Sequence, residues 1–221
     1  MIIVRPSEAR GHFNFGWLDT HHTFSFADYY DPDHMGFRKL RVINQDIIQP
    51  HKGFAPHQHN NMEIITYVIR GEITHKDSMG NQAVIKSNEI QRMTAGTGIT
   101  HSEYNRGDEI PELLQIWILP DQKNLTPSYE QIVFTQPHNN LLQHSLDIHQ
   151  DVNIFTGCLD EAQHLEYLIN KNRYAWIQLI SGQIEINHIK LDMGDGSAIS
   201  NEIKLDIKAL EKSHFLLFDL G

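Results

Sequence analysis

Hydrophobic and polar residues alternate in short stretches along the first 120 positions, and turn-forming residues separate these stretches. Stretches 40–48, 62–69 and 83–85 are predicted strands, and the second is rich in Ile, Thr, Tyr and Val, which suit a packed, pleated surface. The polar segments 78–81 and 86–89 contain residues typical of turns. No stretch in this half sustains a helical period. Short strands at this spacing predict an antiparallel β-sandwich or barrel.

Part of this pattern recurs in the second half of the chain. The segment Leu-Ile-Ser-Gly-Gln-Ile at 179–184 echoes Val-Ile-Arg-Gly-Glu-Ile at 68–73. A histidine follows each segment at a similar interval, His214 in the second half and His101 in the first. Such self-similarity indicates an internal duplication, with two domains of one fold.

The composition becomes polar between the two copies, over residues 120–137. Polar stretches that contain proline are typical of connections between packed elements. We therefore predict an all-β chain with two domains, at residues 1–132 and 133–221, joined through this polar segment.

Two pairs of candidate metal ligands occur in the first copy. His57 and His59 are two residues apart, and so are His101 and Glu103. On a β-strand, residues i and i+2 point to the same face. Two neighbouring strands that face one interior would therefore bring all four side chains to a single ion.

The chemistry of this ligand set indicates a catalytic rather than a structural ion. Three imidazoles and one carboxylate suit iron, nickel, copper, manganese, cobalt or zinc. An octahedral ion held by four protein ligands keeps two positions open for substrate, dioxygen or water. Closed structural sites, by contrast, usually contain cysteine, and none is near these residues.

Strand parity leaves the role of Glu63 open. It lies four residues beyond His59 and would share its face on an uninterrupted strand. Glu63 is then a fifth ligand, a carboxylate that orients a ligating histidine, or a competitor of Glu103. The adjacent His21 and His22 would face opposite sides of a strand, so they are not predicted to form a ligand pair.

The second copy lacks equivalents of the paired ligands. Leu168 and Asn170 stand at the positions that correspond to His57 and His59, and Phe215 and Leu216 follow His214. We predict that the second domain holds no metal. The single cysteine, Cys158, excludes an intramolecular disulfide and a cysteine-based cluster.

Charge and hydropathy restrict the partners. The formal net charge is −10 and there is no concentrated basic run, so direct binding to nucleic acid is not expected. The longest apolar runs are too short to span a bilayer, and the N-terminus does not resemble a signal peptide. We expect a soluble, cytoplasmic monomer.

The sequence resembles the pirin family of the cupin superfamily, and in particular the bacterial pirin-like proteins with quercetinase activity. The resemblance covers the first half of the chain and weakens in the second. It is carried by Gly-Trp-Leu-Asp at 16–19, His-Thr-Phe-Ser-Phe at 22–26, Tyr-Tyr-Asp-Pro at 29–32, Leu-Arg-Val-Ile-Asn at 40–44, Asp-Ser-Met-Gly at 77–80 and Met-Thr-Ala-Gly-Thr-Gly-Ile at 93–99.

This resemblance implies a bicupin, in which two antiparallel jelly-roll β-barrels with few short helices lie face to face. Metal is then expected in the N-terminal barrel only, held by His57, His59, His101 and Glu103. The family's metal is usually iron, as Fe²⁺. Glu63 matches a glutamate that does not normally ligate the metal in pirins, so the resemblance places it beside the ligands rather than among them.

The resemblance further implies a metal-dependent dioxygenase of flavonols such as quercetin, with Glu103 as the general base. Phe54, Met62 and Met93 flank the ligands and are expected to form an apolar wall for the flat substrate. The alternative is a metal-binding regulatory protein that acts on a transcription factor or another protein without turnover. A third interpretation is a metal-binding cupin with another reaction, such as isomerisation.

Overall fold

A computed structural model describes residues 1–134 and 140–221. The chain divides into two compact units. The N-terminal unit comprises Gly11–Thr135 and Ile148–Gln150, and the C-terminal unit comprises Met1–Arg10, Gln136–Asp147 and Asp151–Gly221.

The regular secondary structure of the described residues is almost entirely β, as predicted, apart from a 3₁₀ turn at Ser7–Ala9. None of them belongs to a helix long and apolar enough to cross a membrane. The strands, in chain order, are β1 (Ile2–Arg5), β2 (Gly11–Asn14), β3 (Leu18–His22), β4 (Leu40–Ile48), β5 (Gly53–His59), β6 (Glu63–Arg70), β7 (Glu72–Asp77), β8 (Gln82–Lys86), β9 (Glu89–Thr94), β10 (Ile99–Tyr104), β11 (Glu112–Ile118), β12 (Ser128–Val133), β13 (Leu141–His144), β14 (Val152–Leu159), β15 (His164–Leu168), β16 (Tyr174–Ser181), β17 (Ile184–Ile186), β18 (Ile189–Leu191), β19 (Gly196–Ile199), β20 (Lys204–Ala209) and β21 (Ser213–Leu220).

Two antiparallel sheets form the N-terminal unit. One has seven strands in the order β12-β9-β6-β11-β4-β3-β2, and the other has four in the order β5-β10-β7-β8. Their core takes Ile48, Val68 and Leu113 from the first sheet, and Ile73 and Ile85 from the second. Period-two patterns turn one face of each strand toward this core, which is why the sequence predicts a sandwich.

The predicted strand at 40–48 is confirmed as β4, and the predictions at 62–69 and 83–85 fall on β6 and β8. The prediction of a continuous polar connection at 120–137 was wrong in part. Residues Ser128–Val133 form β12, which pairs with β9 along its whole length, from Ser128 opposite Thr94 to Val133 opposite Glu89. Because β12 is an edge strand, many of its side chains are polar, and its sequence therefore resembles that of a loop. Residues 135–137 of the predicted connection lie outside the described part of the chain.

The C-terminal unit also has two antiparallel sheets, with orders β1-β19-β16-β21-β14-β13 and β15-β20-β17-β18. β1 belongs here because it pairs with β19, from Ile2 opposite Ile199 to Arg5 opposite Gly196. The predicted division assigned residues 1–10 to the first domain, and this assignment is corrected by the pairing. The four residues of β1 contain no sequence pattern that would predict pairing with a strand almost 200 residues away.

The two echoing segments adopt the same local structure. Gly71 links β6 to β7 and has φ 70°, while Gly182 links β16 to β17 and has φ 80°. Residues with a Cβ rarely adopt this left-handed conformation. A Cβ at Gly182 would also overlap the backbone carbonyl oxygen of Lys212. The repeated glycine therefore marks an equivalent tight turn in each unit.

Candidate metal centre

The two predicted ligand pairs lie on neighbouring strands of the four-stranded sheet. β5 and β10 pair antiparallel, with His101 opposite His57 and Ile99 opposite His59. A register shift between His101 and Glu103 places Glu103 opposite Phe54. The i, i+2 spacing thus directs both pairs to one side of the sheet, as the sequence predicted.

Three imidazoles converge at this position. One ligand nitrogen from each of His57, His59 and His101 lies within 4.8 Å of the others. The ring centroids are 4.4 Å apart for His57 and His101, 4.8 Å for His57 and His59, and 5.0 Å for His59 and His101. Around an ion with bonds of about 2.1 Å, ligand atoms are separated by roughly 3–4 Å. Small side-chain rotations would therefore complete a coordination sphere.

The protonation and hydrogen bonding of these histidines also fit a metal ion. The Nδ1 atom of His57 lies 2.7 Å from the carbonyl oxygen of Ala55, to which it donates as N–H, so Nε2 is left with its lone pair. Both ring nitrogens of His101 are buried and have no hydrogen-bond partner among the described residues. A buried polar atom of this kind requires some partner, and a metal ion supplies one.

Burial keeps two of the imidazoles in the neutral form that binds metals. Burial, together with the neighbouring His101 and His57, lowers the pKa of His59 to about 4. Burial, together with His57 and His75, likewise lowers the pKa of His101 to about 3. Because neutral imidazole is the ligating form, these side chains need not lose a proton on binding a metal ion at neutral pH.

Glu103 is the fourth predicted donor and lines the same cavity. Its buried carboxylate accepts a hydrogen bond from Thr66 Oγ1 at 2.6 Å and another from Gln115 Nε2 at 2.6 Å. These two bonds fix the orientation of the carboxylate. Glu103 also lies in a buried group with His75 and His101, whose ligand atoms are within 4.8 Å of one another.

His75 was not singled out in the sequence. It stands opposite Glu103 in the pairing of β7 with β10, and its Nε2 lies 3.1 Å from Asp77 Oδ2. His75 is not among the described residues that line the cavity, whereas His57, His59 and His101 all are. An ion that binds a substrate must be accessible from the cavity, so His57, His59 and His101 are better placed to hold it than the group that contains His75.

Two cavities adjoin the candidate ligands: a small inner cavity that all four of them line, and a larger outer cleft that His57 and His59 line. The inner cavity has a volume of about 90 Å³. Besides the four candidate ligands, the described residues that line it fall into two groups. The apolar residues are Leu18, Phe26, Phe54 and Trp117, and the polar residues are Thr20, His22, Asn44, Asp46 and Gln115. The outer cleft has a volume of about 590 Å³ and is lined by Trp17, Phe26, Phe54, Tyr104 and Trp117, together with residues of β5.

The polar wall of the inner cavity was missed by the sequence analysis. Thr20 and His22 alternate along β3, as Asn44 and Asp46 do along β4. The period-two signal was therefore present, but it does not tell which strand faces the histidines. Asp46 is buried and accepts a hydrogen bond from Thr20 Oγ1 at 2.5 Å. Burial, together with the negative charge of Glu103, raises the pKa of Asp46 to about 7.

Glu63 belongs to a different sheet from the candidate ligands and is not among the described residues that line either cavity. β5 ends at His59, Asn61 takes φ 48°, and Glu63 begins β6 in the seven-stranded sheet. The parity argument fails because it assumed one uninterrupted strand. The Glu63 carboxylate accepts a hydrogen bond from Thr94 Oγ1 at 3.0 Å and lies 3.6 Å from His149 Nδ1. Burial raises the pKa of Glu63.

The three residues predicted to form an apolar wall have different positions. Phe54 lines both the inner cavity and the outer cleft, and its ring lies edge-on to Trp17 at 5.4 Å. Met62 and Met93 are not among the described residues that line the inner cavity or the outer cleft. Met93 belongs to a buried cluster against which Met62 and Trp117 pack, so both methionines lie behind the cavity wall that Trp117 forms.

The strand orders match β15 and β20 of the C-terminal unit to β5 and β10 of the N-terminal unit, so His214, on β21, does not correspond in position to His101 on β10. His214 lies 3.1 Å from Thr156 Oγ1, and burial lowers the pKa of His214 to about 4. Among the described residues of this unit, no three His, Cys, Asp or Glu side chains converge as the N-terminal histidines do.

Comparison with known proteins gives matches over both units. A family model described as Pirin matches residues 3–118, and one described as Quercetinase C-terminal cupin domain matches residues 139–220. Quercetin 2,3-dioxygenase of Escherichia coli (strain K12) is 45% identical over 228 residues, covering 100% of this chain and 99% of that protein. A Pirin-like protein of Caulobacter vibrioides is 36% identical and covers 99% of each.

Solved structures agree with these matches. The bacterial pirin YhhW from Escherichia coli in complex with nickel(II) superposes with a TM-score of 0.96 at 44% identity, covering 100% of this chain and 99% of that one. A quercetin 2,3-dioxygenase from Acinetobacter baumannii, at 19% identity and a TM-score of 0.81, shares the fold. Full-length identity at this level establishes the family and its bicupin fold: the chain belongs to the pirin family of cupins.

Proposed function

We propose that this protein is a metal-dependent dioxygenase that opens the heterocyclic ring of quercetin-like flavonols. One observation carries the proposal: three imidazoles and Glu103 line an inner cavity that adjoins an aromatic-lined cleft. Full-length relatives named for quercetin 2,3-dioxygenation support the choice of substrate.

His57, His59, His101 and Glu103 would hold one divalent transition-metal ion. We propose Fe²⁺ as the ion, while nickel, copper, manganese, cobalt and zinc also suit this ligand set. The nickel complex of the related YhhW supports a site for ions of this class. When bound, the ion would supply Lewis acidity toward an oxyanion and redox chemistry toward dioxygen.

Glu103 is the proposed proton acceptor for the 3-hydroxyl group of the flavonol. Thr66 and Gln115 each occupy one lone pair of its carboxylate and hold it in place. Every carboxylate oxygen has a second lone pair, so Glu103 can still accept a proton or bind an ion. Its charge would also favour the substrate proton leaving toward this side of the cavity.

The two cavities suggest how a flavonol would bind. Ligand pockets for drug-sized molecules are about 300–1,000 Å³, so the outer cleft of about 590 Å³ is large enough and the inner cavity of about 90 Å³ is not. The flat rings would therefore pack between Phe54 and Trp117, which line both. Only the reacting edge would enter the inner cavity, where Asn44 and Asp46 provide polar contacts.

A metal-binding regulatory protein without turnover is the alternative. A bulky side chain that blocked the metal site would favour it. The cleft beside His57 and His59 is instead open to a ligand in the described part of the chain, and this favours a reaction.

The test is turnover by protein that has been stripped of metal and reloaded with Fe²⁺ or Ni²⁺. Quercetin absorbance, oxygen uptake and released carbon monoxide are measured together. We expect one molecule each of flavonol and dioxygen to be consumed, and the double variant His57→Ala/His101→Ala to lose this activity. The matched control is His51→Ala, because His51 is exposed and paired with Asp108 just before β5.

Three results would contradict the proposal in distinguishable ways. Undiminished turnover in the double variant would refute the metal mechanism. Turnover without oxygen uptake would favour isomerisation. Failure to consume any of a panel of phenolics, despite bound metal, would favour the regulatory alternative.

A further inference from the structure

A second group of metal-type side chains lies on the hairpin of β2 and β3, at the edge of the seven-stranded sheet. The register pairs His12 with His21 and Asn14 with Asp19. Alternate residues of a strand share a face, so these four side chains lie together on one face of the hairpin. Thr20 and the neighbouring His22 point the other way and line the inner cavity. The adjacent His21 and His22 therefore lie on opposite faces, and the partner of His21 is His12 on the neighbouring strand.

The side chains converge closely on one carboxylate oxygen. His12 Nε2 lies 2.8 Å from Asp19 Oδ1, and His21 Nδ1 lies 4.0 Å from the same atom. The two imidazole rings stack, with centroids 4.2 Å apart and planes inclined by 9°. One ligand atom from each residue lies within 4.8 Å of the other two.

These distances are close to those that a metal ion requires. Around a tetrahedral ion with bonds of about 2.1 Å, ligand atoms stand roughly 3.4 Å apart. The observed 2.8 and 4.0 Å lie on either side of that value. Because the two imidazole planes are inclined by only 9°, one of these half-exposed rings would have to turn out of the stack so that both nitrogen lone pairs point to a shared ion.

Asn14 completes the arrangement by orienting the carboxylate. Its Nδ2 donates a hydrogen bond to Asp19 Oδ2 at 3.0 Å, which leaves Oδ1 directed at the two imidazoles. Hydrogen bonds of this kind hold ligating carboxylates in metal sites and raise the affinity of the site.

We propose that His12, Asp19 and His21 form a surface site for a divalent transition-metal ion, separate from the candidate centre in the cavity. Two imidazoles and one carboxylate suit zinc, nickel or copper. Three protein ligands leave a fourth position for water or for a group from another molecule. The site does not depend on the proposed dioxygenase activity, since none of its residues lines the cavity.

The test is a calorimetric titration of metal-stripped protein with Zn²⁺ at neutral pH, with circular dichroism to check folding. We expect the double variant His12→Ala/His21→Ala to bind one zinc equivalent fewer than the unaltered chain. The single variant Asn14→Ala should retain that equivalent with an affinity lowered about 10- to 100-fold. The control is His51→Ala, which removes an exposed histidine that lies 3.1 Å from Asp108.

A second background separates this site from the candidate centre. The variant His57→Ala/His101→Ala should still bind the one zinc equivalent assigned to the β2–β3 hairpin. It should lose that equivalent when His12→Ala/His21→Ala is added. The proposal is overturned if zinc stoichiometry and affinity are unchanged by removal of His12 and His21. It is equally overturned if the cavity variant binds no zinc at all.

Discussion

Replacement of Asp46 by Asn should change how the stability of the protein depends on pH. Asp46 is buried in the inner cavity wall, and Thr20 donates a hydrogen bond to its Oδ1. Burial, with the negative charge of Glu103, raises the pKa of Asp46 from its ordinary 3.8 to about 7. Between those two values the folded chain retains a proton that the unfolded chain has released. The free energy of unfolding therefore falls as the pH rises.

The size of this effect follows from the two pKa values. The rise from 3.8 to about 7 corresponds to about 4 kcal/mol, at about 1.4 kcal/mol for each pH unit. Asparagine is neutral at every pH, and its Oδ1 can still accept the hydrogen bond from Thr20. It therefore resembles the protonated form of Asp46 and removes the loss of stability at high pH.

The assay is urea denaturation of metal-free protein at about pH 4 and about pH 8. Metal is removed because a nearby cation would favour the charged carboxylate. We expect the stability of Asp46→Asn, relative to the unaltered chain, to rise by about 4 kcal/mol between the two pH values. Asp108→Asn is the control, since that side chain is 96% exposed. A relative change below about 1 kcal/mol would refute the reasoning.

Three further predictions concern the site and the turns. Gln115→Leu removes a hydrogen bond to Glu103, and steady-state assays should show turnover lowered about 10- to 100-fold in a chain that still folds. Phe54→Ala removes one aromatic wall of the outer cleft, so KM for quercetin should rise by a larger factor than kcat falls. A rise in KM no larger than the fall in kcat would contradict the stacking of the substrate on Phe54. Gly182→Ala should lower the free energy of unfolding by about 1–3 kcal/mol, and more than Gly80→Ala, which has φ 95° but no atom within 4 Å of the added Cβ.

Local alternation is the part of the fold that the sequence predicts well. The period of two in 40–48 identifies β4, and the same period in His57-Gln-His59 directs both imidazoles to one face. Such signals depend on neighbouring residues only. The prediction for Glu63 fails where this period is interrupted, because the left-handed Asn61 ends one strand before another begins in a different sheet.

Contacts between distant strands are the part that could not be predicted. Thr20 and Asp46 face the candidate ligands because β3 and β4 adjoin in the larger sheet while β5 belongs to the smaller one. The pairing of β1 with β19 is likewise set by packing across almost the whole chain. The residue spacing within each strand carries no information about which strands pair or which strands face one another.

The most direct test of the metal centre is anomalous diffraction from crystals grown with Fe²⁺ or Ni²⁺, recorded at the absorption edge of the metal. We predict a peak about 2.0–2.2 Å from one nitrogen of each of His57, His59 and His101 and from one oxygen of Glu103. A peak at Glu63 and His149, or a cavity without any peak in metal-loaded protein, would contradict the account.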